Sequence, residues 1–102
     1  MMIDLNDMCE QAYEISIKRE NNGGKVDSST LGLCKHCATE VVEMTAAFHN
    51  NTCPFDSCVS ELADVIMVCL IIAGKYKIDI ETALSQTMEK NRRRAEKQGD
   101  KL

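Results

Sequence analysis

The sequence predicts an all-α fold, a four-helix-bundle-like arrangement expected to work as an oligomer. Apolar residues recur at spacings of three and four along four segments, as one buried helix face requires, and nothing alternates with period two for long enough to make a strand. Aromatic residues are 4% of the chain and there is one proline, which suits helices better than a β-sandwich. At 102 residues the chain reads as a single domain, 1–102, small enough that a monomer buries only part of its apolar surface. Self-association is therefore expected.

The first helix is expected from Leu5 to about Glu20, with a stripe of Leu5, Met8, Cys9, Ala12, Tyr13 and either Ile15 or Ser16, and it is stopped by Asn21-Asn22-Gly23-Gly24. Asp27, Ser28, Ser29 and Thr30 offer several N-caps for a second helix, whose stripe is Leu31, Cys34, Cys37, Ala38, Val41, Met44, Thr45 and Phe48. His49 to Ser57 reads as a connecting loop. The third helix is expected from about Ser57 to Tyr76, with Gly74 weakening its last turn. Asp79 can cap a fourth helix with Glu81 in its first turn and a stripe of Ile80, Ala83, Leu84, Thr87, Met88 and then Asn91.

Two carboxylates, Glu61 and Asp64, open the most apolar stretch of the chain, Val65 to Ala73. On a helix they share a face, and beside a core their charge is costly unless something positive offsets it. Glu40 and Glu43 repeat the same spacing on the second helix. Helices joined by a short loop pack antiparallel, so all four carboxylates can converge, and oxygen ligands of this kind suit Mg²⁺ or Mn²⁺. Pairs of this type taken singly are common on solvated helix faces. Two pairs on consecutive helices, each bordering an apolar stripe, are less ordinary.

Glu40-Val-Val-Glu43, a spacer of 17 residues and Glu61-Leu-Ala-Asp64 resemble the E-x-x-E and E-x-x-D signature of the MazG-like all-α nucleotide pyrophosphohydrolases, relatives of the dimeric dUTPases. The likeness continues through Gly74 to Leu84 and through Lys90-Asn91-Arg92-Arg93-Arg94, so it covers about residues 30 to 94. After Arg94 the chain departs from the family's aromatic and proline, continuing as Ala95-Glu96-Lys97. The resemblance implies hydrolysis of a nucleoside triphosphate to the monophosphate and pyrophosphate by a homodimer or homotetramer. By that analogy Glu40, Glu43, Glu61 and Asp64 hold Mg²⁺, and Glu43 is the expected catalytic base because it faces Glu61 and Asp64 even if the hairpin is slightly offset. Asn91, on the fourth stripe where a Leu is expected, suits a phosphate or a metal-bound water. Lys90 and Arg94 add charge for the triphosphate, and His36, one turn before Glu40, is a further substrate-binding candidate. Tyr13, Ser16 and Lys18 are the groups available on the first helix for a base.

The remaining features bound the partners. The net charge of −4 argues against nucleic acid as the main partner, although Glu89 to Leu102 carries six Lys/Arg against three Asp/Glu. Without a basic n-region and apolar stretch at the start, and with an apolar run half the length needed for a bilayer, a soluble cytoplasmic protein without membrane association is expected. Cys34-x-x-Cys37 and Cys53-x4-Cys58, separated by 15 residues, resemble structural zinc spacing. The unbroken helix period favours instead thiols buried on apolar stripes. A rival to the enzyme is a non-catalytic helical module binding itself or another protein through the apolar third helix.

Overall fold

The computed structural model describes residues 3–50 and 55–98. Four helices follow one another: α1 (Leu5–Asn21), α2 (Thr30–His49), α3 (Phe55–Lys75) and α4 (Ile80–Gln98). The caps follow side-chain chemistry. Asp4 accepts a hydrogen bond from the Asp7 amide at the start of α1. Among the possible caps of α2, Ser29 takes the position, its Oγ accepting from the Gly32 amide at 3.0 Å. Asp79 caps α4 through the Thr82 amide (3.1 Å) and hydroxyl (2.7 Å). The expected loop from His49 to Ser57 is shorter at its far end, since α3 already begins at Phe55, and residues 51–54, Cys53 included, lie outside the described set.

α3 is the central element, packed against both α1 and α2. Although long and apolar enough to cross a membrane by length and composition, it carries Glu61 and Asp64 and supplies Val68, Leu70 and Ala73 to the core. The best buried large side chains are Leu33 of α2 and Cys9 of α1. Gly74 does more than weaken a helix end. A Cβ there would lie 2.1 Å from the Cys9 carbonyl oxygen, so the missing side chain is what lets α3 approach α1. Beyond it, Lys77 turns the chain at a positive φ of 52°, and the Ile78 amide donates to the Ala73 carbonyl.

Side-chain ties fix the helix ends. The Asn6 carbonyl oxygen accepts from the Ile80 amide at 2.9 Å and its amide donates to Asp79 at 2.9 Å, so the start of α4 is held on the start of α1. Glu20 accepts from the Ser28 amide and hydroxyl, and Lys75 donates to the Ser28 carbonyl at 2.6 Å, which anchors the turn into α2.

The stripe of α1 is as expected with one choice settled, and that of α2 is shifted. On α1 the alternatives Ile15 and Ser16 resolve in favour of Ser16, which is 3% exposed while Ile15 is 59% exposed. On α2 the period is as expected but the packed side is not. Leu31, Cys34, Val41 and Phe48 are exposed, and the least exposed positions run Leu33, Cys37, Glu40, Met44 and Ala47. On α3 the less exposed positions include Cys58, Glu61, Val65 and Val68, and both sets are spaced by three and four as a helix seam requires, with Cys58 meeting Ala47. Leu31, Val41 and Phe48 of the expected stripe therefore form an outer face while its Cys37 and Met44 stay in the seam, and the thiols of Cys34 and Cys69 are exposed rather than buried. On α4, Leu84 and Met88 are likewise exposed, because only its first turns lie against α1.

Candidate functional site

The seam between α2 and α3 carries the carboxylates. Three contacts show the helices running antiparallel: the Cys58 thiol donates to the Ala47 carbonyl, the Cys37 and Cys69 sulfurs lie 3.9 Å apart, and the Thr30 and Tyr76 hydroxyls meet. In that register Glu61 comes level with Glu43, and Glu40 and Glu61 both occupy half-buried seam positions. One oxygen from each of Glu40, Glu43 and Glu61 lies within 4.8 Å of the others. Asp64 is exposed and outside that set, yet close enough to act on Glu43 through its charge.

The electrostatics are those of crowded negative charge. The Glu43 carboxyl is held above its ordinary pKa, first by the negative charge of Glu40, then by desolvation, Glu61, a hydrogen bond with Glu40, and Asp64. Glu61 Oε2 is buried with no hydrogen-bond partner. An orphaned carboxylate oxygen facing two other carboxylates is what a hard, oxygen-seeking divalent cation satisfies, so the residues present fit Mg²⁺ or Mn²⁺. The thiols form no comparable group: among the described residues, Cys34, Cys37 and Cys58 do not converge at metal-ligand spacing.

Glu40 is oriented by His36, whose Nε2 lies 3.0 Å from Glu40 Oε1 one turn earlier on α2. His36 also borders a cavity of about 260 Å³ between α1, α2 and α3, walled by Ala12, Ile15, Leu33, Met67 and Ile71. Into it opens Ser16, whose buried Oγ has no hydrogen-bond partner, with exposed Arg19 as the other polar lining residue. Apolar walls with a few polar groups are the usual form of a small-molecule pocket, and through His36 this one adjoins the carboxylates. Sequence reasoning named Ser16 without preferring it to Tyr13 or Lys18; a serine on a packed stripe is the signal that selects it. Tyr13 lies instead beside Gly74, and Lys18 is exposed.

The basic segment stands apart from this arrangement. Lys90 and Arg94 are exposed, Asn91 is half-buried, and among the described residues no hydrogen bond or ion pair joins any of the three to Glu40, Glu43 or Glu61. Arg92 pairs with Glu89 on its own helix.

Four helices with acidic groups gathered on one helix seam beside an apolar cavity define an all-α protein whose site suits a divalent cation and a small organic ligand. Residues 28–98 match the family model described as the MazG nucleotide pyrophosphohydrolase domain, and the chain belongs to that family. Membership points to nucleotide pyrophosphohydrolase activity with divalent-metal dependence. No curated protein and no solved structure matches the chain.

Proposed function

We propose that the protein is a Mg²⁺-dependent pyrophosphohydrolase that converts a nucleoside or deoxynucleoside triphosphate to the monophosphate and pyrophosphate. The observation that carries this reading is the buried, partnerless Glu61 Oε2 within a three-carboxylate cluster. Glu40, Glu43 and Glu61, with Asp64 beside them, are the ligand set for Mg²⁺ or Mn²⁺. When bound, the ion supplies charge neutralisation on the phosphates and on the leaving pyrophosphate.

The protein's own residues do the rest. Glu43, the most exposed of the three clustered carboxylates and one whose proton affinity is raised by its neighbours, orients the attacking water and takes its proton. As the water oxygen bonds to the α-phosphorus, the bond from that phosphorus to the pyrophosphate oxygen breaks. His36 fixes the rotamer of Glu40, and the apolar cavity holds the base with Ser16 Oγ as its buried polar contact. Asn91, Lys90 and Arg94 are the candidates for phosphate contacts from α4. The domain works in the cytoplasm as a homodimer or homotetramer assembled through α3 and its neighbours, in a house-cleaning or pool-adjusting role, without nucleic acid or membrane partners.

A panel of canonical and modified nucleotides assayed for pyrophosphate, with Mg²⁺, with Mn²⁺ and with neither, tests the reading. Release from at least one nucleotide, dependent on the ion and lost in Glu43→Gln, is expected. If no nucleotide yields pyrophosphate with either ion, the chain is a non-catalytic helical interaction module instead.

A further inference from the structure

Hydrolysis makes no use of the cysteines, and one pair of them is placed in a way that packing alone does not call for. Cys37 of α2 and Cys69 of α3 face each other across the seam with their sulfurs 3.9 Å apart. Cys69 is exposed and Cys37 half-buried. Cys37 is one turn from Glu40, and Cys69 lies on the same helix as Glu61, so the pair bridges the two helices that bring the carboxylates together. Among the described cysteines no other two sulfurs are in contact. Cys34, one turn before Cys37, is exposed and faces no sulfur among the described residues, while Cys9 and Cys58 are buried.

A disulfide needs its sulfurs at about 2.05 Å, so closing the pair from 3.9 Å calls for both side chains to rotate toward each other as the two helices adjust. We infer that Cys37 and Cys69 form a dithiol modification site that closes to an intrachain disulfide under a peroxide-class oxidant, stapling α2 to α3 beside the carboxylates. The chemistry is complete with hydrogen peroxide as co-reactant. The Cys69 thiolate attacks one peroxide oxygen, the O–O bond breaks, and the departing hydroxide takes a proton to leave as water, giving a sulfenic acid. The Cys37 sulfur then attacks that sulfur, the S–O bond breaks as the S–S bond forms, and the second hydroxide carries off the Cys37 proton as water. Two thiols lose two electrons in all, and one peroxide becomes two waters.

The staple spans residues 32 positions apart in sequence. It therefore constrains the unfolded chain more than a local bridge does, and the oxidised protein melts at a higher temperature than the reduced one. The test treats the full-length protein with hydrogen peroxide, blocks remaining thiols with an alkylating agent, and maps the peptides. The expected result is a Cys37–Cys69 linked peptide within one chain, faster migration on a non-reducing gel, a raised Tm, and reversal of all three by dithiothreitol. In Cys37→Ser the link is absent, the Tm is insensitive to peroxide, and dimedone captures a sulfenic acid at Cys69. Both thiols remaining fully alkylatable in the wild-type protein would overturn the inference, as would links formed only between chains or only through Cys34. Peptide mapping of the wild type decides the matter whether or not the variant folds, and it is independent of whether any nucleotide is hydrolysed.

Discussion

Glu43 and Ser16 carry opposite kinds of unmet demand, one an excess of negative charge and the other a hydroxyl without a partner. For Glu43 the folded-state pKa is raised above its ordinary 4.5, so folding favours the protonated form. That contribution is present at low pH and is lost as pH rises through the folded pKa, which means that the ionised, metal-free protein is destabilised at neutral pH. Glu43→Gln removes the charge. The metal-free variant is therefore expected to melt above the wild type at pH 7, with the difference vanishing once the wild-type carboxyl is protonated, and scanning calorimetry across pH checks the sign. The same variant loses roughly 100-fold or more in pyrophosphate release, the scale of a positioned base, and gains less Tm on addition of Mg²⁺ than the wild type does. Ser16→Ala separates a binding role from a structural one. A buried hydroxyl with no partner contributes nothing to the fold, so the change is expected to leave stability unaltered or to raise it by up to about 1 kcal/mol. If Ser16 contacts the base, KM rises by about tenfold with kcat nearly unchanged, the cost of one lost hydrogen bond. An unchanged KM for every nucleotide that is turned over would remove Ser16 from the base pocket.

At the scale of helices, existence and capping were legible in the sequence, as was the packed side of α1, and the packed side of α2 was not. Ser29 and Asp79 act as caps because their short oxygen-bearing side chains reach the first free amides, a local matter readable from residue type. The carboxylate spacing was legible for the same reason, since it depends only on helical period and an antiparallel hairpin. Which side of α2 packs inward depends on the neighbours. A period search follows the most apolar residues, and here Leu31, Val41 and Phe48 lie on the outer face while Cys37, Glu40, Met44 and Ala47 fill the seam. The packing role of Gly74 is hidden from the sequence by the same limit, since it lies in a contact with Cys9, more than sixty residues away in sequence. Gly74→Ala tests that account. Helix propensity alone favours alanine by about 1 kcal/mol, whereas a Cβ 2.1 Å from a backbone oxygen forces α1 and α3 apart. The clash is expected to win, giving a net destabilisation of about 1–3 kcal/mol and a Tm lower by several degrees in thermal melts. A higher Tm would mean that the two helices have room to spare.

The whole chain is more extended than its length requires. Its radius of gyration is 16.0 Å, against about 13 Å for a compact domain of about 100 residues. α4 reaches away from α1 after its first turns, and two sets of apolar side chains are left in the open. Leu62 and Ile66 on α3, with Val41 and Phe48 on α2, form one set, and Leu84 and Met88 on α4 the other. Isolated exposed apolar residues are ordinary, but runs at helical spacing on three successive helices are what a partner surface looks like before assembly. A second copy would satisfy both sets at once, offering a helical stripe to a two-helix face and accepting the same in return. Light scattering at micromolar concentration is expected to give a dimer or tetramer mass for the wild-type chain. Ile66→Lys places a charge at the centre of the α3 face without touching the chain's own core, since Ile66 is 49% exposed. It is expected to shift the population to monomer while circular dichroism still reports helix, and to lower Tm through the lost association. A monomeric wild type that melts cooperatively, with Ile66→Lys melting at the same temperature, would instead assign the open face to another protein.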